Sequence, residues 1–144
     1  MVAHKNRQDR SHKAALDFYE HRQDEKWLWS PWHRIEVFNT IRQLTRDKDP
    51  KLRLLKPEAA AMIHSIEEDV RVGYFEHVEA DWRDFLRAAN RISTAHAFDL
   101  RCRAADLLHV AYAAELRAVT FVGFDADQLG LAKAAGMHAV KPKS

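Results

Sequence analysis

Several kinds of residue are scarce in this sequence of 144 residues, and each shortage excludes a class of protein. The single cysteine, Cys102, rules out an internal disulfide and suits a reducing compartment, so we expect a cytoplasmic protein. Four glycines and four prolines favour helices over a turn-rich β protein. No apolar run approaches the roughly 20 residues that cross a bilayer, and none follows the basic N-terminus as in a signal peptide. We therefore expect no membrane contact.

The composition that remains is typical of a folded domain with weak basic character. Hydrophobic residues make up 47% of the chain and charged residues 31%, which suits a soluble globular protein rather than a disordered one. The length predicts a single domain over residues 1–144, with a loose polar start over residues 1–10. A net charge of +2 permits contact with nucleic acid but is too small to require it.

Apolar patterns of strand type and helix type alternate along the chain. Short apolar runs at residues 27–29, 74–78, 119–122 and 137–140 predict strands, and the segments between them have helical periodicity. Strands that alternate with helices usually pair in parallel, so we predict an α/β fold with a parallel sheet flanked by helices. The helix after Ser30-Pro31 is predicted to bury Ile35, Phe38, Ile41 and Leu44. The helix after residue 80 is predicted to bury Trp82, Phe85, Leu86, Ala89 and Ile92.

Two carboxylates stand out in the C-terminal half of the chain. Asp106 lies in a predicted helix of small and apolar residues, with Arg103 three positions before it, and Asp125 follows an apolar strand. Ligands of open α/β sheets bind beyond the carboxyl ends of the strands, so Asp125 is expected at the binding edge. The plainer alternatives are that Asp125 caps the next helix and that Asp106 forms an ion pair with Arg103.

A third acid, Glu36, lies near the start of the helix that follows the first strand. Taken alone, it is a solvated helix residue. If Glu36, Asp106 and Asp125 converge at one edge of the sheet, their oxygens suit Mg²⁺ or Mn²⁺. Such a site can activate water and neutralise the charge of a scissile phosphate. The sequence contains no His-Glu-x-x-His zinc motif, no glycine-rich phosphate loop and no Gly-x-Ser-x-Gly elbow.

These residues carry a resemblance to a known family. The stretch from Cys102 to Ala111, with residues 121–128 and 131–137, resembles the C-terminal half of PIN-domain proteins, and Ser30 to Asn39 resembles their second motif. The likeness covers most of the chain, from about residue 14 to residue 140. It implies a three-layer α/β/α fold and a Mg²⁺- or Mn²⁺-dependent endoribonuclease, a hydrolase of phosphodiester bonds. Many single-domain members resemble the toxin of a bacterial toxin–antitoxin pair.

The resemblance also implies a site and partners. Carried over by position, the catalytic and metal-binding cluster would be Glu36, Asp106 and Asp125, which would hold the metal and orient the attacking water. The implied partners are an RNA substrate and a cognate antitoxin protein. A homodimer is a further expectation.

The sequence departs from the family at two places. The family's first strand ends in Asp followed by Thr or Ser, but neither Asp9 nor Asp17 follows an apolar strand. Two residues before the last Asp the family usually has Thr or Ser, whereas this chain has Gly123, which lacks a hydroxyl. The missing strand is central in the family's sheet. Each buried backbone group left unpaired there would cost about 1–3 kcal/mol, against a net stability of about 5–15 kcal/mol.

We therefore expect a chain that is truncated at its N-terminus relative to the family. A start codon assigned too late, a decayed or split gene, and a protein that completes its sheet otherwise would each account for this. Three functions stay open. The first is a PIN-like metal-dependent ribonuclease, although the missing Asp and Gly123 weigh against its activity. The second is a non-catalytic PIN-like module that binds RNA or an antitoxin. The third is a structural α/β domain with ordinary ion pairs.

Overall fold

The computed structural model describes residues 10–143 and has six helices and four short strands in that part of the chain. The elements are α1 (His12–Glu20), β1 (Trp27–Trp29), α2 (Pro31–Leu44), α3 (Lys56–Arg71), β2 (Phe75–His77), α4 (Trp82–His96), α5 (Ala104–Glu115), β3 (Thr120–Val122), α6 (Ala126–Ala134) and β4 (His138–Val140). The predicted alternation of helices and strands is confirmed, and the fold is mixed α/β. The loose start predicted for residues 1–10 lies outside the described residues, apart from Arg10.

The four strands form two parallel pairs. β1 pairs with β2, which sets Trp29 opposite His77, and β3 pairs with β4, which sets Val122 opposite Val140. Parallel strands need a crossover connection, and here the helices between the paired strands supply it. The prediction of parallel pairing is therefore confirmed for these strands.

Contacts divide the described residues into two compact units. The first runs to Val78 and includes Lys143, and the second is Glu79–Pro142. Each unit has its own core, and each is described by itself below. The expectation of a single domain over residues 1–144 stays a prediction.

The first unit has its core between the β1–β2 pair and helices α2 and α3. Ser30 follows β1 and caps α2, because its hydroxyl accepts a hydrogen bond of 3.2 Å from the backbone N–H of His33. Pro31 occupies the first helical position, where its missing N–H costs nothing. Large apolar side chains fill this core, and each contributes about 1.5–3 kcal/mol on burial. They include Trp29, Phe38, Ile41, Ile66 and Phe75.

The second unit packs α5 against α4 and α6. Val110 of α5 is buried with Leu131 of α6 and with Met137, which precedes β4. On the α4 side, the rings of Phe85 and Tyr112 lie 5.1 Å apart. The Tyr112 hydroxyl accepts a hydrogen bond of 3.0 Å from the backbone N–H of Ala80, so a buried ring also anchors the segment before α4.

Part of the predicted core is wrong. Ile35 of α2 is 65% exposed, and on α4 the side chains of Trp82 and Leu86 are also exposed. Phe38, Ile41 and Phe85 are buried as predicted. A helix buries only the stripe that meets its neighbours, and apolar residues just outside that stripe stay in solvent. None of the helices in residues 10–143 combines the length and the hydropathy needed to cross a membrane.

Candidate functional site

The start of α5 positions the first candidate acid, Asp106. Arg103 is the residue before the helix, and Asp106 is the third residue within it. The Asp106 carboxylate accepts a hydrogen bond of 3.2 Å from the backbone N–H of Arg103. This contact satisfies one of the amides that a helix start leaves without an intrahelical partner. Asp106 is buried, which for a carboxylate requires polar or charged partners.

The turn between β3 and α6 positions the second candidate acid, Asp125. Its Oδ1 accepts hydrogen bonds from the backbone N–H groups of Asp127 at 2.9 Å and Gln128 at 3.1 Å. The predicted capping role of Asp125 is therefore confirmed. Such a cap contributes about 0.5–2 kcal/mol to stability. It leaves Oδ2 of the same carboxylate free to accept from another group.

One arginine joins the two acids. Nε of Arg103 donates to Oδ2 of Asp106 at 3.1 Å, and Nη2 of the same guanidinium donates to Oδ2 of Asp125 at 3.2 Å. We call this set of Arg103, Asp106 and Asp125 the acid–guanidinium bridge. The predicted ion pair of Asp106 with Arg103 is confirmed. The bond to Asp125 extends it across 22 positions of sequence, from the start of α5 to the start of α6.

The acid–guanidinium bridge is buried at Asp106 and exposed to solvent at Arg103 and Asp125. The Asp106 side chain is 9% exposed, whereas those of Arg103 and Asp125 are 71% and 41% exposed. The hydrogen bond that Arg103 donates to Asp106 raises the pKa of Arg103 above its usual value, and the negative charges of Asp106 and then Asp125 add to this. The guanidinium therefore stays charged throughout the physiological range and supplies a permanent cation to both carboxylates.

Glu36, the third predicted site residue, lies on α2 in the first unit. It is partly buried and interacts with neighbouring groups, so it is not a free carboxylate. The structure thus joins Asp106 and Asp125 through Arg103 and places Glu36 in the other compact unit. The cluster of three acids stays a prediction.

The geometry of the acid–guanidinium bridge decides whether Asp106 and Asp125 fit Mg²⁺ or Mn²⁺. The Arg103 guanidinium bonds the Oδ2 atoms that the two acids would otherwise present together to a cation. The pair therefore fits a divalent metal only after Arg103 moves away. Within residues 10–143 no three His, Cys, Asp or Glu side chains form a group suited to a metal ion.

Gly123 lies two residues before Asp125, where the resembled family usually has Thr or Ser. A Cβ atom built there would meet the Gln128 Oε1 atom at 3.4 Å, which is ordinary van der Waals contact. Space therefore does not dictate glycine at this position. Gly123 leaves this position without a hydroxyl that would orient a carboxylate or a water.

Sequence reasoning missed the second partner of Arg103. The spacing of three residues pointed to Asp106, but no local pattern pointed to Asp125. A usable signal was the arginine placed directly before a helix whose third residue is an acid, with a second acid at the end of the next strand.

Comparisons with known proteins identify no relative of this chain. No family model matches the sequence, and no curated protein or solved structure matches it either.

Proposed function

We propose that this chain is a PIN-like domain that binds RNA and does not cleave it. The acid–guanidinium bridge carries the proposal. In a metal-dependent nuclease two acids at this edge would face a divalent cation, but here Arg103 donates to both of them. The PIN-like motifs around Glu36, Asp106 and Asp125 supply the likeness to RNA-acting proteins.

A divalent metal ion and a guanidinium differ in chemistry, and this difference separates a nuclease from a domain that does not cleave RNA. Mg²⁺ binds oxygen at about 2.0–2.1 Å with near-octahedral geometry and retains several waters, from which a nuclease draws its nucleophile. A guanidinium instead offers fixed N–H donors at ordinary hydrogen-bond distances and holds no activated water. Arg103 can therefore neutralise and orient Asp106 and Asp125, but it has no means of activating a water for attack on phosphorus.

We also propose that the fold is a three-layer PIN-like α/β/α arrangement. Each strand pair is parallel, and helices connect the paired strands, which a three-layer PIN-like α/β/α arrangement requires. Strand β3 leads to Asp125 at its carboxyl end, the place where open α/β sheets bind ligands. The antitoxin partner, the homodimer and the cytoplasmic location stay predictions.

The test measures RNA binding and RNA cleavage separately. We expect the purified chain to raise the fluorescence anisotropy of a labelled single-stranded RNA in the presence of a chelator. The same RNA should stay intact on a gel when Mn²⁺ or Mg²⁺ replaces the chelator. Asp106→Asn is the matched control for cleavage, since it removes the charge of the acid and keeps its shape.

Two outcomes would overturn the proposal. Cleavage by the wild-type chain with Mn²⁺, abolished by chelator and by Asp106→Asn, would establish the rival function, a metal-dependent endoribonuclease with Glu36, Asp106 and Asp125 as ligands. A chain that neither binds nor cleaves RNA would leave the structural α/β domain, and the ion pairs would then have no role beyond stability.

A further inference from the structure

A groove between α2 and α3 in the first unit has a volume of about 630 Å³. Volumes of about 300–1,000 Å³ are typical of sites that hold organic ligands, whereas a lone phosphate needs far less room. Both walls are helical, so the positions of its lining side chains are set by two packed elements.

Three cations line this groove. Arg42 lies in the last turn of α2, Arg46 lies two residues beyond its end, and Lys56 is the first residue of α3. All three are exposed, and within residues 10–143 none of them forms an ion pair with a carboxylate. Unpaired cations that converge on one recess produce a positive potential that attracts anions.

Two acids of α3, Glu67 and Glu58, already have partners of their own. Glu67 is the acid that lines the groove, and its carboxylate pairs with Arg34. Glu58, in the first turn of α3, accepts a hydrogen bond of 2.7 Å from the backbone N–H of Leu55. The residues that line the groove therefore include three cations and one carboxylate, and that carboxylate is paired with Arg34.

The rest of the lining suits a nucleotide better than a bare anion. Ala59 and Ile63 give the groove an apolar wall, and Asn39 and Gln43 add exposed side-chain amides along α2. Single-stranded RNA presents phosphates to cations, flat bases to apolar surface, and base edges to amide donors and acceptors. A peptide rich in glutamate would use the cations but not the apolar wall.

We infer that the groove lined by Arg42, Arg46 and Lys56 binds the phosphate backbone of single-stranded RNA. The inference rests on the proposed function and names the surface that performs it. The cations hold phosphates at the two helix ends, and the alanines of α3 leave room for a base. The surface belongs to the first unit alone, so binding there does not depend on the acid–guanidinium bridge.

The experiment compares two triple variants that remove the same charge. Arg42→Gln, Arg46→Gln and Lys56→Gln together neutralise the groove. The matched control neutralises two arginines and one lysine of the second unit, Arg83→Gln, Arg91→Gln and Lys133→Gln, which are likewise exposed and without a carboxylate partner in the described residues. The probe is a short fluorescein-labelled oligouridine, titrated in chelator at several salt concentrations.

Counterion release sets the expected size of the effect. Each phosphate contact to a single strand makes the slope of log K against log salt more negative by about 0.7. Loss of three contacts should therefore make that slope less negative by about 2. At about 0.1 M salt this corresponds to roughly 100-fold weaker binding, and to about 5-fold for Lys56→Gln alone. The control triple should bind less than about 10-fold more weakly than wild type. Unchanged thermal melting would show that both triples fold.

The outcomes separate the two proposals. Equal binding by wild type and the groove triple, or equal losses in the two triples, would overturn the groove while RNA binding stands. A glutamate peptide that displaces the oligouridine at equal charge concentration would overturn RNA as the occupant. A wild-type chain that binds no oligouridine and no RNA of mixed sequence would overturn the proposed function itself, and the groove with it.

Discussion

Removal of the Asp106 carboxylate should weaken the second unit more than removal of the exposed Asp127 carboxylate. In Asp106→Ala, the backbone N–H of Arg103 loses its partner at the start of α5, and the guanidinium loses its more buried acceptor. Because the carboxylate is buried, water does not readily replace these bonds. Asp125 would then be the sole acid held by Arg103.

The magnitude follows from the two lost roles of Asp106. A capping interaction is worth about 1 kcal/mol, and a hydrogen bond to a charged group about 1.5–3 kcal/mol when it is shielded from water. Solvent screens the open side of the bridge, so the second contribution counts for less than its full value. We expect the free energy of unfolding to fall by about 2 kcal/mol, which lowers the melting temperature by roughly 4–8 °C for a chain of this length.

The assay is urea unfolding followed by circular dichroism at neutral pH and low salt, with Asp127→Ala as control. Asp127 is exposed, and its carboxylate lies 4.0 Å from Arg101, so its loss should change stability by less than about 0.5 kcal/mol. A decrease for Asp106→Ala no larger than that of the control would refute the account of the bridge as a stabilising contact.

Two further predictions concern the charge of Arg103 and the partly buried phenol of Tyr19. Arg103→Gln should let Mn²⁺ raise the melting temperature, because Asp106 and Asp125 then face each other without a cation, whereas wild type should not respond; an equal response of both chains would contradict this. Burial, aided by the charge of Asp69, raises the pKa of Tyr19, so its contribution to stability is present below about pH 10 and is lost as pH rises further. Ultraviolet titration of the wild type and of Tyr19→Phe should differ by a phenol that ionises above about pH 10.

The sequence predicted local structure better than it predicted contacts. Short strands and capped helices have local causes, such as Ser30 before Pro31 or Asp125 at the end of an apolar run, and these appear as expected. Ile35 fits the apolar period of α2 but stays exposed, because periodicity identifies a helix and not the width of the face that its neighbours cover. Only tertiary packing decides that width.

Contacts between distant residues set a second limit. Arg103 and Asp125 are 22 positions apart, and their meeting depends on where α5 and α6 begin in space. The groove cations also meet only through tertiary packing. Arg46 follows the end of α2, whereas Lys56 begins α3. The PIN-like site with Glu36 stays a prediction, whereas Asp106 was correctly placed in a helix and Asp125 after a strand.

The acid–guanidinium bridge has a consequence for the local electric field. Its two carboxylates and one guanidinium sum to a single negative charge, and it lies at the N-termini of both α5 and α6. Each helix N-terminus carries the equivalent of about half a positive charge, so the two together balance the bridge. The region is close to neutral at the place where a nuclease would be strongly negative. It therefore has little attraction for a metal ion and little repulsion toward a phosphate.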